Sequence, residues 1–282
     1  MLKINWRDFF TSSLNRLATG AALAVCLPSL AQADCTLLAE AQSGKILLQQ
    51  GQCEQALPPN STFKIPIALM AYDAGLLQDE RLPVLDFKAG YADWIESWKQ
   101  PINPSSWMQY SVVWYSQILT QQLGMARFQD YLQRFEYGNQ DASGDAGKDN
   151  GITNSWLSSS LRITPIQQLH FIRKLVNQQL PVSAQAQSLT KKITYLSNLN
   201  NGWRVHGKTG TGRLADGSSA AQDQIGWFIG WADNGKQQIV FVHQIQDQIP
   251  AEQGYAGPRA KTALLARLPE LLQQIQLAKP LQ

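Results

Sequence analysis

Strand-forming sequence lies at both ends of this chain and helix-forming sequence fills the middle, and few folds accommodate that order. Near the start, Cys35 to Gln42 and Lys45 to Gln50 read as two strands joined by a tight turn at Ser43-Gly44. From residue 202 the strand texture returns, in Trp203 to Gly212, in Ile225 to Ala232, and in Gln238 to Ile245 after the hairpin signal Asn234-Gly235. Between about residues 66 and 198 the apolar spacing is helical instead. Gln109 to Leu123 carries Val112, Val113, Tyr115, Ile118 and Leu119 as one helix, and Ile166 to Leu175 follows Thr164-Pro165 as cap and first residue. A last amphipathic helix runs from about Arg259 to Ile275. Strands so far apart in sequence bury their apolar faces most simply in one antiparallel sheet completed by both termini and faced by a helical lobe, an α+β architecture. No internal repeat or long linker divides it, so residues 34–282 are expected to form a single domain.

The first 33 residues read as an export leader. Lys3, Arg7 and Arg16 make a basic start, an apolar stretch runs from Leu17 to Leu30, and Ala31-Gln32-Ala33 has the small-x-small form of a cleavage site. Thr19, Gly20, Pro28 and Ser29 interrupt that stretch, leaving it too short to span a bilayer. The expected mature protein therefore begins at Asp34, is periplasmic and holds no stable membrane insertion. The whole chain carries a formal charge of only +3, and the leader takes most of it away, which argues against nucleic acid or an anionic membrane as partner. Cys26 leaves with the leader. Cys35 and Cys53 then either form a disulfide across the first hairpin, as an oxidising compartment allows, or remain two structural thiols. His170, His206 and His243 are scattered without metal-ligand spacing, so no metal site is expected.

The chemistry centres on Asn60-Ser61-Thr62-Phe63-Lys64. With Asn60 as N-cap and the helix beginning at Ser61, the Ser61 hydroxyl and the Lys64 amine fall on one face of a first turn whose N–H groups can meet developing negative charge. Pro66 then removes a hydrogen bond and should bend or tighten the helix start. On the later strand, Lys208-Thr209-Gly210, followed by Thr211, places a cation and a hydroxyl where they can hold a substrate carboxylate, and the glycine allows close approach to the backbone. Tyr137 to Asn154, rich in Gly, Asp and Asn, reads as a long ordered loop of functional type. Each of these signals alone also fits a surface helix cap, a basic strand edge or an ordinary loop.

Taken in order, however, Ser61-Thr-Phe-Lys64, Ser111-Val-Val113, Tyr137-Gly-Asn139, Trp156-Leu157 and Lys208-Thr-Gly210 resemble the motifs of the class D, oxacillin-hydrolysing serine β-lactamases across nearly the whole mature chain. The resemblance implies the α/β sandwich of the serine β-lactamases and penicillin-binding transpeptidases, and hydrolysis of β-lactam amides through an acyl-enzyme on Ser61. It implies a Lys64 carboxylated to a carbamate, acting as general base for acylation and deacylation with Trp156 donating to it. No cofactor is then needed beyond carbon dioxide or bicarbonate. It further implies that Ser111 relays a proton to the lactam nitrogen beside Lys208, and that the N–H groups of Ser61 and Thr211 form the oxyanion hole. Thr209 and Arg259 would hold the substrate carboxylate, although a solvated helix-start arginine is the other reading of Arg259. Val113 and Leu157 would gate water or serve as core, and Tyr137 and Asn139 would shape the pocket. Two alternatives share the same motifs: a penicillin-binding D,D-peptidase, and a non-enzymatic β-lactam sensor domain that stays acylated. Oligomeric state is not written in these residues.

Overall fold

The two ends of the chain meet in one six-stranded sheet. In the computed structural model, residues 34–213 and 224–277 are described, and the expected leader lies outside them. The strands are β1 (Cys35–Glu40), β2 (Ile46–Gly51), β3 (Tyr195–Asn198), β4 (Arg204–Arg213), β5 (Gln224–Asp233) and β6 (Gln238–Asp247), arranged β2-β1-β6-β5-β4-β3 with every neighbouring pair antiparallel. The first hairpin reaches the later strands through β1 and β6, where Leu38 stands opposite Phe241. The Asn234-Gly235 hairpin forms as the dipeptide predicts: Gly235 takes φ 83°, and the Asn234 side-chain oxygen accepts from the N–H groups of Lys236 and Gln237.

Strand β5 is buried along its whole length because both faces of the sheet are covered. Ile225, Trp227, Ile229 and Trp231 point into the core shared with the helical lobe, whereas Phe228 and Ala232, of opposite parity, pack against the helix that closes the chain. Fully burying a side chain of this size is worth about 1.5–3 kcal/mol, so this one strand contributes heavily to joining the two layers.

The helices are α1 (Lys64–Asp73), α2 (Pro104–Tyr110), α3 (Val113–Leu123), α4 (Met125–Arg134), α5 (Gly151–Asn154), α6 (Pro165–Val176), α7 (Ala184–Ile193) and α8 (Ala256–Leu277). Helix α1 is buried from Lys64 to Tyr72, apolar all round as a central helix must be. Helix α6 opens with the expected cap: Thr164 and Gln167 exchange side-chain and backbone hydrogen bonds, with Pro165 at the first position. Cys35 and Cys53 are joined as a disulfide, which settles the choice that the sequence left open.

Three expectations are corrected. The helix expected over Gln109 to Leu123 is two helices, because Ser111 adopts the left-handed conformation (φ 60°, ψ 36°) and the Val112 N–H turns back to the Trp107 carbonyl. The helix expected to begin at Ser61 begins at Lys64, since Asn60–Phe63 forms a 3-10 turn. The region over about residues 66–198, expected to be helical apart from the loop Tyr137 to Asn154, also includes β3 and an irregular stretch over residues 77–103, in which Leu85 and Ile102 exchange backbone hydrogen bonds. Among the described residues, no helix is long and apolar enough to cross a membrane.

Candidate active site

The nucleophile candidate stands on a turn that three neighbours clamp. Asn60 is at φ 50°, a left-handed position that asparagine tolerates better than most residues. It is not the N-cap expected of it. Its N–H donates to the Trp156 carbonyl (2.9 Å) and its side-chain amide to the Pro58 carbonyl (3.0 Å), while its side-chain oxygen accepts from the N–H and hydroxyl of Ser158 (3.0 and 3.1 Å). Pro59 supplies the second clamp: its carbonyl accepts from both the N–H and the hydroxyl of Thr62. From below, Gln168 donates to the Thr62 hydroxyl (2.9 Å) and accepts from the Tyr137 hydroxyl (3.3 Å). In a 3-10 turn, side chains three residues apart eclipse each other, and Lys64 Nζ accordingly lies 3.2 Å from Ser61 Oγ. The tightening expected near Pro66 is therefore present, one step earlier, with Pro66 inside the first turn of α1 where a missing N–H costs least.

Lys64 is fully buried and, among the described residues, has no acidic partner. Phe63 stacks on Trp156 (centroids 5.5 Å apart) and meets Tyr137 edge-on, while Phe128 lies against both Phe63 and Trp156. Burial, reinforced by the positive charge of Lys208, holds the Lys64 amine well below the ordinary lysine range. The indole Nε1 of Trp156 is buried and finds no acceptor among the described residues. Val113 is buried at the start of α3 and Leu157 is partly buried against the same core. Asn139 is taken up by the loop, accepting from the N–H groups of Asp141 and Arg162 and donating to the Ser160 carbonyl. Asp145 knits that loop together by accepting from Asn150, Asn154 and Ser159.

Strand β4 forms the opposite wall. The short β3 covers only its first residues, so among the described residues Lys208 to Gly212 have no strand partner on that edge. The Gly207 N–H points to that side, to the Thr194 carbonyl, and the Arg213 N–H points there too, to the Ser158 hydroxyl. Alternation along a strand then turns the N–H groups of Thr209 and Thr211 to the same edge, beside the Ser61 turn. Gly210 has a different purpose from the one read in the sequence. A Cβ there would lie 2.8 Å from the Pro59 carbonyl oxygen, and one at Gly212 would lie 2.2 Å from the Asn60 amide, so these glycines let the strand pack on the nucleophile turn. Lys208 is also buried, and burial together with the charge of Lys261 brings its amine down to about 7. It donates to the carbonyl and hydroxyl of Thr209 (3.0 and 3.4 Å).

Not every expected residue joins this group. Among the described residues, Ser111 makes no hydrogen bond to Ser61, Lys64 or Lys208; what the structure gives it is its place at the break between α2 and α3. Arg259 is turned elsewhere: its guanidinium grips both carboxylate oxygens of Asp247 (2.5 and 2.7 Å) and donates to the Gly254 carbonyl. Its charge is thus spent within the fold. Sequence reasoning passed over Lys261, which lines one cavity with Lys208 and Thr209. Its signal was spacing: Lys261 lies one helical turn beyond Gly257, whose N–H donates to the Thr211 hydroxyl (2.9 Å).

Comparison with known proteins agrees with this arrangement. The penicillin-binding protein transpeptidase domain family matches residues 34–266. β-Lactamase OXA-9 of Klebsiella pneumoniae is 39% identical over 246 residues, spanning 84% of this chain and 88% of that protein. β-Lactamase OXA-1 of Escherichia coli is 40% identical over 199 residues, 70% of each chain. The crystal structure of the class D β-lactamase OXA-427 superposes with a TM-score of 0.80 at 51% identity, covering 86% of this chain and 99% of that one. With the Ser61–Lys64 pair on its clamped turn and the free β4 edge beside it, the chain belongs to the class D β-lactamases, on the penicillin-binding transpeptidase fold.

Proposed function

We propose that this protein hydrolyses the amide bond of β-lactam antibiotics through an acyl-enzyme on Ser61, thereby conferring resistance, and that Lys64 works in its carboxylated form. The observation that carries this reading is the Ser61 hydroxyl 3.2 Å from an amine that is fully buried and, among the described residues, has no acidic partner, while the buried indole N–H of Trp156, whose ring stacks on Phe63, has no partner among them either. An amine held neutral keeps the lone pair needed to add carbon dioxide, and an unsatisfied buried donor suits the anion so formed. When present, the carbamate supplies general-base chemistry at Ser61 and again at the deacylating water.

The rest of the site then divides the work. Ser61 Oγ attacks the lactam carbonyl and gives up its proton. The N–H groups of Ser61 and Thr211 meet the oxyanion as the carbonyl becomes tetrahedral. The C–N bond breaks, and Ser111, with Lys208 close to neutrality, hands a proton to the departing nitrogen. Water adds to the ester carbonyl, the bond to Ser61 Oγ breaks, and the hydroxyl regains its proton. Thr209 helps hold the substrate carboxylate, Val113 and Leu157 border the route by which water reaches the pocket, and Tyr137 and Asn139 brace the walls. Export by cleavage of residues 1–33 to a periplasmic, oxidising location is consistent with the Cys35–Cys53 disulfide.

The test is turnover of a chromogenic cephalosporin by the purified protein, with and without added bicarbonate. Sustained turnover that bicarbonate enhances is expected. One stoichiometric burst that stalls in bicarbonate would point to a sensor or a penicillin-binding peptidase, and no acylation at all would defeat the proposal.

A further inference from the structure

We propose that Ser158 is a positioning residue whose hydroxyl fixes the span of the oxyanion hole, between the Ser61 N–H on the nucleophile turn and the Thr211 N–H on β4; this rests on the β-lactamase reading above. Three segments of the chain meet at this one side chain. The Ser158 hydroxyl donates to the Asn60 side-chain oxygen (3.1 Å) and accepts from the Arg213 N–H (3.0 Å). The Ser158 N–H donates to the same Asn60 oxygen (3.0 Å). Asn60 immediately precedes Ser61, and Arg213 stands two residues beyond Thr211. One hydroxyl oxygen therefore joins the near neighbours of both oxyanion donors.

The strand needs such a tether at this end. Its edge is fastened at Gly207, whose N–H meets the Thr194 carbonyl, and at Arg213, whose N–H meets Ser158; among the described residues, Lys208 to Gly212 have no strand partner between the two. Thr211 lies nearer the second fastening. Packing sets only the closest approach here, because Gly210 and Gly212 let β4 settle onto Pro59 and Asn60 and nothing in that contact stops the strand from moving away. Pairing with β5 on the other edge places β4 in the sheet. Trp227 of β5 ties the sheet to the Pro58 carbonyl (3.0 Å), at the entry to the turn. Ser158 makes the corresponding tie at Asn60, next to the nucleophile itself.

The backbone at Ser158 points to the same role for the hydroxyl. Ser158 is held at φ 55°, a left-handed conformation that glycine enters freely and other residues enter at a cost. Glycine would also keep the N–H bond to Asn60. What serine adds is the hydroxyl alone, and its hydrogen bonds go to the nucleophile turn on one side and to β4 on the other. The strain is thus borne at the point where the two halves of the site are joined.

The experiment compares the native protein with Ser158→Gly, Ser158→Ala and Ser158→Cys on a chromogenic cephalosporin. Glycine suits the backbone, so the Tm of Ser158→Gly should stay within about 3 °C of native. Acylation and deacylation both pass through a tetrahedral oxyanion, so both rates should fall about tenfold or more, lowering kcat with KM nearly unchanged. Ser158→Ala should lose as much rate and more stability, because it keeps the strain without the hydroxyl. Ser158→Cys, nearly isosteric but a weaker donor and acceptor, should recover part of the rate. The spectroscopic readout is the ester carbonyl of the acyl-enzyme, formed without bicarbonate from a β-lactam carrying ¹³C at the lactam carbonyl. Its infrared band should move to higher frequency in Ser158→Gly, as a carbonyl less polarised by two N–H groups does. Native kcat and an unshifted band in Ser158→Gly would overturn the inference, as would a loss of Tm large enough to account for the lost rate; the hydrolytic reading would survive either result. A native protein that forms no acyl-enzyme would overturn both.

Discussion

Lys64 and Lys208 stand on opposite walls of one cleft, both buried, yet their surroundings give them different chemistry. Lys64 is fully buried next to Phe63, whose ring packs with Phe128, Tyr137 and Trp156, and among the described residues the one polar contact of its amine is the Ser61 hydroxyl. Lys208 lies along a strand, on the carbonyl and hydroxyl of Thr209, with a second lysine nearby. Burial lowers both pKa values, and in each case a neighbouring cation adds to it: Lys208 acts on Lys64, and Lys261 on Lys208. An amine pressed far down offers a lone pair, whereas one brought to about 7 carries and releases a proton at neutral pH. On the reading proposed above, the same side chain is carboxylated to act as base on one wall and carries a proton on the other.

Replacing Lys208 tests the sheet side of that contrast most strongly. A lysine whose folded pKa lies below its unfolded value binds fewer protons when folded between about pH 7 and the ordinary lysine range. Its burial therefore costs stability in full below pH 7, and the cost fades as pH rises. Lys208→Met should be more stable than the native protein at pH 6, and that advantage should shrink by about 4 kcal/mol between pH 7 and 10, at ~1.4 kcal/mol per pH unit. Urea unfolding of both proteins at pH 6, 8 and 10 measures it, and a gap that ignores pH would mean that Lys208 does not titrate in that window.

The aromatic wall is probed by Trp156→Phe, which keeps a ring against Phe63 and deletes only the N–H. A hydrogen bond to a charged group is worth about 1.5–3 kcal/mol. The bicarbonate concentration needed for half-maximal turnover should accordingly rise by roughly 10- to 100-fold, with weaker carbamate signal after labelling with ¹³C-bicarbonate. Unchanged bicarbonate dependence would remove Trp156 from the role proposed for it.

The seam between the walls should give the smallest of the three effects. Gly212→Ala places a methyl 2.2 Å from the Asn60 amide nitrogen, an overpacking that typically costs about 1–3 kcal/mol. A fall in Tm of several degrees is expected, at roughly 2–4 °C per kcal/mol for a domain of this size. Because Asn60 clamps the nucleophile turn, kcat should fall as well; a stability loss with kcat intact would show that the clamp does not position Ser61.

Much of this was legible in the chain. The strand hairpins, the helix cap at Thr164-Pro165 and the Ser61–Lys64 spacing all depend on residues close in sequence, where propensity and turn chemistry are decided locally. The sheet's composition from both termini was legible too, because strands at the two ends had no other partners to pair with. What escaped reading was conformational or long-range. Ser111 takes a left-handed conformation at the C-terminal end of α2, and Asn60 gave up a helix cap because Trp156 and Ser158, nearly a hundred residues away, offered its groups partners.

Arg259 and Lys261 mark the same boundary. Sequence alone determined that Arg259 stands near the start of the last helix, and that hydroxyls and a lysine lie together on an earlier strand. Tertiary structure decided which basic residue faces which, because Gly257 sets the rotation of α8 on β4 and Asp247 captures the arginine. The physical reason is that backbone propensity acts through neighbours in the chain, while the charge state and reach of a side chain depend on whatever the fold packs beside it.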